Sequence, residues 1–202
     1  MCTGTKPHVL TYKRSSSIEI DSCFSMSYDN ARLIFFDSLT DDWVIKRYND
    51  GETTVAVLKN SNSNDWIIHT SGLHGVEGYT GSAIQTNILK ETEALCRDKN
   101  MPNIMLVHSM NPYGMKTMQR TNRNNVDLNR NSIINNDFQS DSEVFKDKYL
   151  RNFINPESIL WYLMLPILLI YSLLIYGIKF TTQSIVTGQY SNPVAMSYGG
   201  SE

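Results

Sequence analysis

The sequence predicts an α/β domain: a sheet with covering helices. Two observations carry that reading. Helical and strand-like patterns follow one another along residues 28–109 in the order helix, strand, strand, helix, strand. A glycine-rich turn, GLHGVEGYTG, follows the second strand directly and leads into the second helix. Residues 1–25 are polar and form a lead-in, and the domain occupies 26–202.

In order, YDNARLIFFDSL (28–39) carries apolar residues at helical spacing, with Asp29 or Asn30 as its cap. TTVAVLK (53–59) and WIIHTS (66–71) read as strands, and NSNSND between them as a hairpin or a loop. GSAIQTNILKETEALCRDK (81–99) is an amphipathic helix. NIMLVHS (103–109) is a short apolar strand, after which NPYG (111–114) turns the chain. Residues 131–147 are rich in Asn, Asp and Ser and read as a polar insertion.

The composition narrows the function. A length of 202 residues suits one domain, and 41% hydrophobic residues can form a core. Eighteen basic against twenty acidic side chains leave a net charge of -2, which does not suit a nucleic-acid binder. Cys2, Cys23 and Cys96 offer neither a disulfide framework nor a CxxC metal knuckle, and the polar N-terminus lacks the apolar run of a signal peptide. These points favour a cytoplasmic protein. One segment competes with that placement. ILWYLMLPILLIYSLLIYGI (159–178) runs for 20 residues without a charge, the length of a bilayer core. It is either a buried helix of the domain or a single-pass membrane span, with membrane association as the consequence. Tyr162, Tyr171, Ser172 and Tyr176 give it only a faint polar stripe.

The chemistry concentrates in two places. His74 and Glu77 stand three residues apart at the end of a strand, flanked by Gly72, Gly75 and Gly78. Imidazole nitrogen and carboxylate oxygen are preferred zinc ligands, and such a pair on the first turn after a strand can point at one metal. An HxxE pair also occurs by chance, as a surface histidine beside a helix start. About 45 residues on comes RTNRNNVDLNRN (120–131), with three guanidinium groups and many side-chain amides. Arginine clamps a carboxylate through paired hydrogen bonds and steadies a developing oxyanion.

HGVEG, NPYG and NNVDLNRN in this order resemble the zinc carboxypeptidase superfamily. Within it the chain is most similar to a subgroup catalogued only as a domain of unknown function, which reads SGxHGVEG, HxxNPxGf, RxNxNNVDLNRN and GQYxxPxGxxYGG. The matching segments are TSGLHGVEGYTGSA, HSMNPYGM, RTNRNNVDLNRN and GQYSNPVAMSYGG, over roughly residues 26–200.

The resemblance implies a zinc-carboxypeptidase-like (phosphorylase/hydrolase-like) mixed sheet with flanking helices. It implies one zinc ion held by His74 and Glu77, with Arg120 polarising the scissile carbonyl. Asn129 and Arg130 would grip a terminal carboxylate on the substrate, a peptide C-terminus or an acylated amino acid. Asp127 is expected to hold its loop. Arg123 is assigned no role, and His69 and His108 are read as structural. Family members carry a third zinc ligand and a general base beyond the YGG segment. The resemblance therefore implies a C-terminally truncated, catalytically incomplete domain, and a complementing C-terminal chain is one way to complete it. A carboxylate-binding remnant without catalysis is the alternative, and a membrane-anchored protein a third. In the family a helix leads into GQYxxP, which favours the buried-helix reading of 159–178.

Overall fold

The computed structural model describes residues 20–131, 158–186, 190, 193–194 and 197–200. Most of the polar lead-in and all but Asn131 of the polar insertion lie outside these residues. The end of the lead-in belongs to the fold: Ile20–Cys23 form a 3-10 turn, and Cys23 and Ser25 are buried.

Helix α1 is Tyr28–Asp37. Its cap is Ser27, upstream of the expected Asp29 or Asn30: the Ser27 hydroxyl accepts from the Asn30 amide at 3.3 Å. The strands are β1 (Val44–Tyr48), β2 (Thr53–Leu58), β3 (Trp66–Thr70) and β4 (Asn103–His108). The sheet order is β1-β2-β4-β3, with β1 and β4 antiparallel to β2 and β3 parallel to β4. The segment NSNSND is therefore a loop and not a hairpin turn, because β4 lies between β2 and β3. The fold is a mixed α/β arrangement with a four-stranded mixed sheet among the described residues.

The strand β1 has no counterpart in the sequence reading. All five of its residues are exposed, and two are charged, so no apolar face marks it. The turn NDG after it does: Asn49, Asp50 and Gly51 all have positive φ, and the Gly51 amide closes the turn on the Tyr48 carbonyl.

One sheet face carries the core. Ala56 and Leu58 of β2 alternate in register with Leu106 and Ile104 of β4, and Phe35, Trp43, Leu89 and Met101 pack over them. The long helix expected over 81–99 is two helices, α2 (Gly78–Lys90) and α3 (Thr92–Arg97). Thr92 sits at the break. Its buried hydroxyl accepts from Trp43 Nε1 at 2.8 Å and donates to the Leu89 carbonyl. The expected NPYG turn is the start of a short helix, α4 (Pro112–Thr117). The Asn111 side chain caps it at the Gly114 amide, 2.9 Å away, and Pro112 occupies a first-turn position where no amide hydrogen is needed.

His108 ends β4 inside the core, stacked on Phe35 with centroids 4.4 Å apart and with Nε2 2.8 Å from Ser82 Oγ. Burial, helped by the Arg32 charge, lowers its pKa from 6.5 to about 4. Its role is structural. Between those two values the unfolded chain binds the proton and the folded one does not, so stability falls as the pH drops from about 6.5 to about 4. A series of urea melts across that window is expected to show the loss, of up to roughly 3 kcal/mol, and His108→Gln is expected to flatten it.

The apolar segment is helical, but it is not a buried helix. Helix α5 (Ile159–Val186) contains Gly177 at φ 78°, ψ 167°, which no helix accommodates. The Ser172 and Thr181 hydroxyls lie 2.7 Å apart, although nine residues of straight helix would separate them by about 13 Å. The chain therefore turns back at Gly177, giving two arms, 159–176 and 178–186. The large side chains of the first arm are mostly exposed.

Candidate functional site

The parallel strands β3 and β4 end side by side, and the site forms beyond their carboxyl ends. Gln85 of α2, fully buried, joins them: its Nε2 donates to the carbonyls of His69 and Val107 at 3.0 and 3.1 Å, and its Oε1 accepts from the Ser71 hydroxyl at 2.9 Å. The loop after β3 continues the pairing through Ser71 N to Val107 O (3.0 Å) and Asn111 N to Gly72 O (2.8 Å). Gly72 takes φ +68°, with no room for a side chain between Ser109 and Met115. Gly75 is more constrained: a Cβ there would stand 2.0 Å from the Gly114 carbonyl. The same residue's amide donates to the Gln119 carbonyl at 3.0 Å, which brings the HGVEG turn against the segment carrying Arg120.

Four polar side chains meet as a result. The imidazole of His74 is buried, with Nε2 3.0 Å from Asp127 Oδ1 and Nδ1 3.4 Å from Glu77 Oε2. Arg120 Nε donates to Asp127 Oδ2 at 2.9 Å, and its Nη1 is 4.0 Å from Glu77 Oε1. Glu77 is mostly exposed; Asp127 is 1% exposed. Burial alone would raise the Asp127 pKa, but hydrogen bonds from His74, Arg120 and the Asn129 amide outweigh it and hold the carboxyl below 3.8.

Asn129 lines an open cleft of about 290 Å³ with Ser71, Leu73, His74 and Glu77. Arg130 is the next residue in the same 3-10 turn, Leu128–Arg130, but its guanidinium is not on His74 or Glu77. Its Nη1 donates to the Asn129 carbonyl at 3.0 Å, and its Nε is buried without a hydrogen-bond partner. The other motif residues are structural. Asn122 shapes the loop by accepting from the Asn124 and Val126 amides, and Arg123 lies over the Tyr113 ring. His69, in β3, makes none of these contacts, and it is not the satisfied structural histidine expected: its Nδ1 is buried without a hydrogen-bond partner.

The tail closes the loop. The Asp127 amide donates to the Tyr198 carbonyl at 2.7 Å, Asn125 Nδ2 to the Pro193 carbonyl at 2.8 Å, and the Tyr190 hydroxyl to the Arg130 carbonyl at 2.9 Å. The GQY and YGG segments therefore serve the site by holding its arginine-bearing loop. Asp127 does more than hold that loop. It is the central partner of both His74 and Arg120, a role its position within VDLNRN suggests only once those two are known to converge on it.

Together, the fold and this cluster define an α/β protein with a polar His-Glu-Asp-Arg centre at the carboxyl edge of a mixed sheet. The chain belongs to the family described as Protein of unknown function (DUF2817), whose model matches residues 24–202. No curated protein and no solved structure matches it.

Two substitutions test this geometry. Gly75→Ala is expected to destabilise the fold by roughly 3 kcal/mol, measured from denaturant midpoints, because the backbone at Gly114 cannot give way. Asp127→Asn is expected to cost roughly 2 kcal/mol at neutral pH. The Asp127 contribution is present above the unfolded value of 3.8 and lost as the pH falls through the lower folded value, so the two proteins should converge in stability in acid.

Proposed function

We propose that the His74–Glu77 pair is part of a zinc centre in a carboxypeptidase-type or amidohydrolase-type hydrolase, built on a zinc-carboxypeptidase-like fold. One observation carries the reading. His74 Nδ1 and Glu77 Oε2 face each other at 3.4 Å, long for a hydrogen bond. Two ligands of one tetrahedral zinc, each about 2.0–2.1 Å from the ion, stand about 3.3–3.4 Å from each other. The other imidazole nitrogen is engaged by a buried carboxylate, the arrangement that fixes the tautomer and orientation of a metal-binding histidine. The donors present fit part of a zinc site. Among the described residues no group of three or more His, Cys, Asp or Glu side chains is placed to hold a metal, so the reading requires a further ligand from outside them.

When bound, zinc supplies Lewis-acid polarisation of a carbonyl and of water. The chain's own residues would do the rest. Asp127 holds His74 with Nδ1 toward the cleft and holds Arg120 beside Glu77, where its guanidinium can stabilise charge developing on a carbonyl oxygen. Asn129 lines the cleft. Arg130, adjacent to it, has a buried Nε without a hydrogen-bond partner, so in this reading its side chain must swing outward to capture a carboxylate. These features support a substrate with a free carboxylate next to the scissile amide: a peptide C-terminus or an acylated amino acid.

Zinc titration against a chromogenic chelator tests the assignment. His74→Ala is expected to abolish binding, His69→Ala to leave it intact, and Asp127→Asn to weaken it about 10–100-fold. Equal binding by the His74 and His69 variants would overturn the ligand assignment. Absence of zinc binding in the unsubstituted chain, with Arg130-dependent binding of an N-acylated amino acid retained, would favour a non-catalytic carboxylate-binding module.

A further inference from the structure

The apolar segment of α5 has a geometry that neither of the two simple readings of its sequence anticipates. The first arm, 159–176, carries no charged residue. Its exposed large side chains include Leu160, Tyr162, Leu163, Leu169, Leu174 and Ile175. At 100° per residue these six cover about 240° of the helix circumference. A helix that packs on protein shows an apolar stripe somewhat over about 100° wide. Leu163 is 72% exposed and Leu174 79%, so among the described residues nothing covers the arc. Along the remaining stripe Leu168 and Ser172 are buried, and the returning arm supplies the Thr181 hydroxyl that pairs with Ser172. The side-chain hydroxyls at this bend are satisfied internally: Ser172 and Thr181 by each other, and Thr182 by the Ile178 carbonyl at 2.8 Å. Internal satisfaction of polar groups is what a medium without hydrogen-bonding capacity demands.

Topology then separates a span from a surface element. The arm of 18 residues is about 27 Å long, close to the thickness of a bilayer core. One crossing would put the chain before residue 159 and the chain after residue 186 on opposite sides. The tail forbids this, because Tyr190, Pro193 and Tyr198 are hydrogen-bonded to Arg130, Asn125 and Asp127, all of which precede the helix. No second crossing restores the count. The stretch 132–157 holds eight charged residues, and the return arm, 178–186, is about 14 Å long and carries Lys179, Thr181, Thr182, Gln183 and Ser184.

We propose that α5 is a monotopic membrane element. Its first arm, too long to stand upright within one leaflet, lies obliquely in it, Gly177 turns the chain back, and both flanks stay on the side of the sheet domain. The occupant of the apolar arc is the acyl layer of a bilayer. A protein partner or a second copy would bury one stripe of this helix, whereas an arc of about 240° suits a surrounding apolar medium.

Flotation of the full chain with preformed sealed vesicles of phosphatidylcholine and phosphatidylglycerol tests the idea. The unsubstituted chain is expected to float with the vesicles. Leu163→Glu combined with Leu174→Glu, both at exposed positions, is expected to lower the bound fraction at least about tenfold. Sidedness is read in a Cys2→Ser, Cys96→Ser background, since Cys23 is buried. Ser158→Cys and Val194→Cys are each expected to react fully with a membrane-impermeant maleimide added outside. This labelling leaves α5 unchanged and remains decisive if the glutamate variant does not fold. Failure to float, flotation insensitive to the glutamates, or protection of either cysteine until detergent is added would overturn the proposal. So would a discrete lipid-free oligomer that the glutamates dissociate, because a second copy would then cover the arc.

Discussion

The carboxylate of Asp127 is the constraint on which the site depends. A charge with 1% exposure is sustained only by strong partners, and Asp127 has three at hydrogen-bonding distance: His74, Arg120 and the Asn129 amide. Each comes from a different part of the local structure, namely the loop after β3, the segment after α4 and the turn Leu128–Arg130. The amide of the same residue donates to Tyr198 in the tail. Segments more than 100 residues apart in sequence therefore meet at one residue. The solvation cost of leaving any of them out makes the arrangement cooperative.

The sheet supplies the platform. β3 is an edge strand, exposed along most of its length, and by itself would position a loop poorly. Gln85 compensates by tying the β3 and β4 backbones together from the buried side, one turn of helix away from the glycine-rich loop. The close approach at Gly75 then locks that loop against the backbone around Gly114 and Gln119. The polar centre has exposed ends in Glu77 and Arg120 and a buried middle in His74 and Asp127. In the proposed hydrolase, that division leaves Glu77 and the outer nitrogens of Arg120 open to a ligand while Asp127 holds the imidazole.

The elements whose residue types carry a helical or strand pattern were legible in the sequence. Helix α1 and strands β2, β3 and β4 lie where their periodicity puts them, within a residue or two at the ends. The failures have specific physical causes. β1 has no buried face to produce a pattern. The break between α2 and α3 depends on Thr92 meeting Trp43, 49 residues away, and no local signal encodes that contact. NPYG reads as a turn because Asn-Pro so often makes one; with Asn111 as cap and Pro112 in the first turn, the same two residues begin a helix. Uniform hydrophobicity over 159–178 says that the segment avoids water, but not that Gly177 folds it back.

By itself, the sequence determined the α/β class, the positions of the principal helices and strands, and which residues are candidates for the site. These follow from side-chain type and short-range spacing, which a linear chain displays directly. Tertiary structure alone decided that β4 separates β2 from β3, that Asp127 is the shared partner of His74 and Arg120, that Arg130 Nη1 bonds to the Asn129 carbonyl, and that the tail returns to the loop ahead of α5. Those are outcomes of burial and long-range hydrogen bonding, where a residue's role is set by which distant groups must be satisfied together.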